Sequence, residues 1–200
     1  MEKENKKILA GKKTVDKLIK TAKKHFAERG YSHTAMADVA KDAEASRGAL
    51  YHHFNNKQEL YEAVLEEILA DIYVQIMKAT RNNEDPWDKL LISSNTFLEL
   101  STHPVTRQIV IIDAYGVLGV DGLRKIDENY SISAIKSILA ELKDTYSLNS
   151  LNIEVLAEAI YGASQQCAVW VSAQKDSKSA LSEANATMEL LYSSLKPVEP

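Results

Sequence analysis

The run Ser46-Arg47-Gly48-Ala49-Leu50-Tyr51-His52-His53-Phe54 gathers side chains suited to meeting another molecule. Arginine presents a planar fork of donors that fits guanine O6 and N7 or a phosphate. Glycine beside it lets the backbone approach a partner closely. If the run is helical, Arg47, Gly48, Tyr51 and His52 share an outer face, while Leu50 and Phe54 turn toward a core. Lys57 lies beside the amides that would open a following helix, a natural anion site. This is the chemistry of recognition rather than of bond making.

Other combinations fall short of catalysis. His52 and His53 are adjacent, so on a helix they point apart and make no metal pair. Gly11-Lys12 superficially suggests a phosphate loop, but the first glycine of that pattern would fall on Lys6, so it fails. Neither G-x-S-x-G nor H-E-x-x-H occurs. Cys167 is the single cysteine, so no internal disulfide forms, no zinc spacing exists, and the thiol reads as a small hydrophobe. The expectation is no catalytic residue, no metal and no cofactor. His25 and Glu28 are spaced for a surface contact on one helix. Asp113 ends the apolar run Ile109-Val110-Ile111-Ile112, where it either closes a helix or contacts a ligand. Trp87, His103, Tyr115, Tyr130, Gln165, Gln166 and Trp170 are the other candidates for lining a ligand pocket.

Helices must position these groups. Val15, Leu18, Ile19, Ala22 and Phe26 form one helical stripe, and Gly30 is placed to stop it. Thr34 is spaced to cap a short helix through about Ala43, and Ser46 another through about His53. Asn56 with Glu59 resembles a capping box opening a long helix that carries Leu60, Val64, Ile68, Ile72 and Ile76 and ends near Thr80. Further helices are expected from near Pro86, Pro104 and Asp121, with breaks at 101–103 and 116–119. Two amphipathic segments, 152–175 and 176–195, close the chain. No stretch alternates for long at period two, so the fold class is all-α, with an N-terminal three-helix helix-turn-helix unit and a helical C-terminal domain.

Composition agrees. Seven glycines and 4 prolines in 200 residues are too few for the many turns of a sandwich or barrel. The longest run of large apolar residues, 109–112, is far short of the ~18–20 that span a bilayer. No apolar segment follows the N-terminal lysines, so a cytoplasmic location is expected. Residues 1–57 hold 13 basic and 7 acidic side chains, a balance of +6, while the remainder holds 11 and 21, a balance of −10. A polyanion partner is implied for the first part only.

The stretches Thr34-Ala35-Met36-Ala37-Asp38-Val39-Ala40 and Ser46-Arg47-Gly48-Ala49-Leu50-Tyr51-His52-His53-Phe54-Asn55-Asn56-Lys57-Gln58-Glu59-Leu60 resemble the DNA-binding domain of the TetR/AcrR family of transcriptional regulators. The segment from Pro104 onward resembles one of that family's C-terminal variants. The resemblance implies a dimer whose recognition helices enter successive major grooves of a pseudo-palindromic operator. It implies base reading by Arg47, Gly48 and Ala49 after the capping Ser46. It implies phosphate contacts from Thr34, Ala35, Tyr51, His52 and Lys57. One departure is Glu44, which stands where the family places glycine in the turn.

The expectation is a sequence-specific DNA-binding repressor released by a small-molecule effector. Residues 1–57 would bind DNA. Residues 58–200 would bind the effector and form a homodimer through the last two helices, using Leu156, Ile160, Ala163, Leu181, Met188, Leu191 and Leu195. The long helix from Lys57 would link the two functions. The competing readings are a helical protein-interaction adaptor and, lacking any nucleophile–base or metal set, an all-α enzyme.

Overall fold

The computed structural model describes residues 2–146 and 152–195; residues 1, 147–151 and 196–200 lie outside the described residues. The described chain is all-α: α1 (Glu2–Arg29), α2 (Met36–Asp42), α3 (Arg47–His53), α4 (Lys57–Thr80), α5 (Pro86–Ser101) and α6 (Pro104–Thr106). A π-helical segment, Arg107–Asp113, leads into α7 (Ala114–Asp127). A π-helical turn, Glu128–Ile132, leads into α8 (Ser133–Thr145), and α9 (Ile153–Ser172) and α10 (Ser177–Leu195) finish the fold.

Local chemistry sets most of the ends. Ser46 Oγ accepts from the Ala49 amide at 3.0 Å, Asn56 Oδ1 from the Glu59 amide at 2.9 Å, and Asp85 Oδ1 from the Trp87 amide at 2.8 Å beside Pro86. Each satisfies a helix-start donor that has no intrahelical partner. Asn152 does the same for α9 and Asp176 for α10. The capping box is displaced by one residue, because the Glu59 carboxylate receives the Asn55 amide at 2.9 Å instead of that of Asn56. Gly30 ends α1 with φ 74°. The positive φ is what calls for glycine; a Cβ there would meet only the ends of the Gln108 and Asp113 side chains, the nearer at 3.3 Å.

Three expectations are corrected. Thr34 does not cap α2: the flanking residue is Ala35, and the Thr34 hydroxyl donates to the Gly30 carbonyl at 2.9 Å, closing the turn from a buried position. His25 does not meet Glu28 on the surface. It is buried, with Nε2 2.8 Å from Asp42 Oδ2, and fastens α1 to α2. The break expected at 116–119 narrows to Gly119 (φ 68°, ψ 177°), a kink within α7 rather than a gap before Asp121.

Packing explains why α4 is the axis of the molecule. The row Leu60, Val64, Ile68, Ile72 and Ile76 is buried, and so is a second row, Tyr61, Leu65 and Leu69. One face meets α1 and another meets α5 and α7, while Glu67, Asp71, Val74, Gln75 and Lys78 form a stripe open to solvent. Burying each such side chain contributes about 1.5–3 kcal/mol. In the N-terminal unit, Leu18, Ala22 and Phe26 of α1 close over Val39, Ala40, Leu50 and Phe54, all buried.

Candidate nucleic-acid interface and effector cavity

Helix α3 has one face in the core, through Leu50, and the other open. Ser46, Arg47, Gly48, Tyr51 and His52 are exposed, and Ala49 is half-buried. The Arg47 guanidinium lies over the Tyr51 ring, 5.6 Å from its centroid, which limits the directions its fork can take. A Cβ built on Gly48 would meet only Ser46 Oγ, at 3.9 Å. Nothing inside the fold therefore asks for glycine there, although glycine costs a helix roughly 0.5–1 kcal/mol relative to alanine. Ala35 is exposed at the start of α2, whose N-terminus no side chain caps. The His52 and His53 rings do not point apart; they meet edge to face at 5.0 Å. Among the described residues, no group of three or more His, Cys, Asp or Glu is arranged to hold a metal.

In the turn between α2 and α3, Glu44 adopts φ 51°, the left-handed conformation that glycine enters more easily. Its carboxylate pairs with the Lys17 ammonium, and that pairing holds it below the usual carboxylate range.

The side chains of Lys57 and Thr34, both expected at phosphates, turn inward here. The Lys57 ammonium donates to the carbonyls of Tyr31 at 2.8 Å and Thr34 at 3.1 Å, with Ser32 at 3.5 Å, and sits 4.2 Å from the Tyr31 ring centroid. An ammonium has three N–H donors, so the cation is taken up in holding the α1–α2 turn. The expected anion site at the start of α4 is likewise filled from within, by Asn56 and the Glu59 carboxylate. Thr34 is 2% exposed.

The same turn is tied to the rest of the molecule. Asp113 neither caps a helix with its side chain nor lines a ligand cavity: its Oδ2 accepts the Tyr31 amide at 2.8 Å. Tyr61 donates its hydroxyl to the Ile109 carbonyl at 2.5 Å and packs edge-on against Phe26 and Tyr31, each at 5.2 Å. Burial raises the Tyr61 pKa, so the hydroxyl keeps its proton and remains a donor. Tyr31 thus connects the end of α1, the first residue of α4 and the π-helical segment.

A cavity of about 50 Å³ lies between α4, α5, α8 and α9, reached also by Ser131. Apolar walls come from Ile72, Ile76, Leu90, Phe97, Ala134, Ile135 and Ile138, and polar ones from Tyr73, Ser93, Ser94, Ser131, Tyr161, Ser164 and Gln165. Behind Tyr161 and Ser131 lies Asp127, fully buried, accepting the Tyr161 hydroxyl at 2.5 Å and the Ser131 hydroxyl at 3.1 Å. Burial pushes the Asp127 carboxyl up, against the pull of those two hydrogen bonds.

Of the expected lining, only Gln165 reaches this cavity. Trp87 is buried against other core groups, 6.2 Å from the Tyr146 ring, and Tyr130 is partly buried. Tyr115, Gln166 and Trp170 are exposed, and His103 borders a different, wider cleft of about 330 Å³ with Lys23, Asp71 and Gln75. The sequence did carry one missed signal. Tyr161 and Ser164, not expected there, share with Gln165 the helical face of the buried Ala157, Ile160 and Ala168, which marks polar residues turned inward. Cys167 is half-buried with Sγ 3.9 Å from the Met188 sulfur, and burial raises the thiol's pKa.

An all-helical chain that holds a short exposed helix over a three-helix N-terminal unit, on a helical body with a polar-lined cavity, is a helix-turn-helix regulator in its architecture. Family comparison agrees over most of the sequence. Residues 18–64 match the model for bacterial regulatory proteins of the tetR family, and residues 87–195 match the tetracyclin repressor-like C-terminal domain. The chain belongs to the TetR family of transcriptional regulators, which are not enzymes.

It is 26% identical over 164 residues to the TetC protein of transposon Tn10 from Escherichia coli, covering 81% of this chain and 82% of that one. A TetR-family transcriptional regulator from Pectobacterium atrosepticum is 30% identical with a TM-score of 0.78, covering 96% of this chain and 98% of its own. FadR from Bacillus subtilis, solved with stearoyl-CoA, shares the fold at 18% identity and a TM-score of 0.72, covering 88% of this chain and 97% of its own. Several further curated regulators match over only 36–53% of their own length. Among the described residues no helix is long and apolar enough to cross a membrane.

Proposed function

We propose that this transcriptional regulator is a homodimeric repressor that leaves its operator when a small molecule occupies the cavity. In this reading residues 1–57 bind DNA, and residues 58–200 bind the effector and dimerise. Arg47 and the backbone at Gly48 and Ala49 read base edges, while Ala35, Tyr51 and His52 meet phosphates. Thr34 and Lys57 hold the unit's shape instead.

The observation that carries the reading is Gly48: a glycine on an open helix face with no internal reason to lack a side chain, next to an arginine steadied by Tyr51. Close approach from outside supplies the missing reason. Gly48→Ala is therefore expected to stabilise the chain by up to about 0.5–1 kcal/mol while weakening operator binding. Fluorescence anisotropy on genomic fragments enriched by filter binding, beside thermal melts, reads both quantities. Unchanged operator affinity in that variant overturns the close-approach role, and indifference of the wild type to DNA sequence overturns the whole reading.

Dimerisation is supported by apolar side chains left open on α9 and α10: Val155, Trp170, Leu190, Leu191 and Leu195. Ile160 and Met188, expected in the seam, are buried within the protomer, and Leu156, Ala163 and Leu181 are half-buried. Two helices paired with their copies make a four-helix contact. Leu190→Asp is expected to yield monomers by sedimentation.

Release is supported by α4, which contributes Ile72, Tyr73 and Ile76 to the cavity and begins at Lys57 against the Tyr31 turn. About 150 Å³ is needed to hold a benzene-sized ring, so an occupant forces the cavity walls apart. A ligand can shift a two-state equilibrium only by its differential affinity, about 5.5 kcal/mol for a change from 1:99 to 99:1.

A further inference from the structure

The cavity lining holds no ammonium, guanidinium, imidazole or carboxylate among the described residues. Its polar groups are neutral, and four of them are more than nine-tenths buried: Ser93 at 9%, Ser94 at 5%, Ser164 at 7% and Gln165 at 5% exposed. The charge behind the wall is Asp127, and its two oxygens already receive the Tyr161 and Ser131 hydroxyls. An anion entering here meets no cation and faces a carboxylate at short range. The hydroxyl protons that could have received an anion are committed, Ser93 to the Lys89 carbonyl at 2.7 Å and Tyr161 and Ser131 to Asp127, and a cation finds no carboxylate in the lining, only neutral oxygens. Charge placed in such a site loses hydration without a partner, which is the costly case, whereas a neutral hydroxyl or carbonyl needs only one hydrogen bond.

Size adds a second constraint. At about 50 Å³ the free space is a third of what a single benzene ring occupies in an engineered cavity, so modest movement admits one ring, and a long acyl chain demands far more. Gln165 supplies the specific contact. Its Nε2 donates to the Tyr161 hydroxyl at 3.1 Å, and a primary amide carries a second N–H and a carbonyl oxygen.

We infer that the effector is a small uncharged molecule, of one ring or similar aliphatic bulk, bearing a hydroxyl or carbonyl that bonds the Gln165 amide. The inference rests on the cavity being the effector site. It separates this chain's ligand from organic anions and from nucleotide-bearing acyl carriers, whose phosphates would need cations that the lining lacks.

The experiment uses the full chain near neutral pH and four ligands of one shape: benzyl alcohol, toluene, benzoate and benzylamine. Isothermal calorimetry is expected to give measurable binding of benzyl alcohol at millimolar concentration, with benzoate and benzylamine weaker by at least about tenfold because a buried unpaired charge is penalised. Ala134→Phe, which fills the cavity, is expected to abolish that binding. Gln165→Met keeps the shape without the amide and is expected to remove the advantage of benzyl alcohol over toluene.

Equal or tighter binding of either charged ligand, no binding of benzyl alcohol, or binding that survives Ala134→Phe overturns the inference. Operator affinity measured with saturating benzyl alcohol is a separate readout. Binding with the expected selectivity but no change on DNA leaves the ligand class standing and removes the effector reading.

Discussion

The two ends of α4 follow opposite rules for polar side chains. At its start, the N-terminal unit presents Arg47, Tyr51 and His52 to solvent and uses only a few inward polar groups, His25, Thr34 and Lys57, as fasteners. Farther along, the body turns Ser94, Ser164, Gln165 and Asp127 inward and leaves apolar side chains such as Val155 and Leu190 outside. A surface that meets a hydrated polyanion needs charge in water, whereas a cavity selects a small molecule by replacing water with a few fixed neutral groups. The contrast separates side chains that act on a partner from those that hold shape, and pairs of like residues test it.

Two tyrosines give the largest effect. Tyr61→Ala removes a fully buried ring packed on Phe26 and Tyr31, together with the bond to Ile109, and is expected to cost about 3–5 kcal/mol of stability in urea melts. Tyr51→Ala removes an exposed ring and is expected to leave stability within about 0.5 kcal/mol, while weakening DNA binding. Equal stability losses would erase the distinction between the two faces.

Two cations give the next. Arg47→Ala is expected to cost about 1–3 kcal/mol on the operator and to relax preference at one base position. Lys57→Met is expected to lose about 1–3 kcal/mol of folding stability by stranding the carbonyls it holds, and to leave the salt dependence of DNA binding unchanged. A salt titration in which Lys57→Met lowers the slope by about one unit would show that this lysine reaches phosphate after all.

Asp127 sharpens the contrast through pH. Its carboxyl is raised in the folded chain, so between the unfolded value, about 3.9, and the higher folded one the folded state binds more protons. Stability from this group is therefore full below the unfolded value and declines as pH rises through the folded one. Asp127→Asn is expected to remove that decline. Its stability relative to wild type should rise as pH increases from about 4 upward; a difference independent of pH would mean that burial leaves the carboxyl at its unfolded value.

The smallest effect is expected at Glu44. Glu44→Gly relieves a left-handed backbone and is expected to raise the melting temperature by about 2–4 °C in the full chain. It also frees Lys17 from its ion pair beside the DNA-facing unit, so non-specific binding at low salt is expected to tighten slightly.

Much of the N-terminal unit was legible because its determinants are consecutive. Ser46 capping α3, Asn56 capping α4, Gly30 ending α1 and the outward Arg47 all follow from residues within one or two turns of each other. The long row on α4 and the two final helices were legible for the same reason, since a period of 3.6 is written in the order of residues. Local reasoning failed where a side chain chose a distant partner. Lys57 reads as a phosphate ligand beside a helix start until the Tyr31 and Thr34 carbonyls fold back over it. Asp113 reads as a helix end or a pocket residue until the Tyr31 amide arrives from 82 positions away.

The cavity shows the limit most plainly. The sequence by itself determined an all-helical chain, a basic DNA-facing end and an acidic body. It named Gln165 for the interior but set Trp87, Tyr115 and Trp170 beside it and passed over Tyr161 and Ser164, because residue type alone does not say which candidates face one cavity. Only tertiary packing decided among them. The walls come from α4, α5, α8 and α9, and the angle at which those helices cross fixes which stripe of each faces inward.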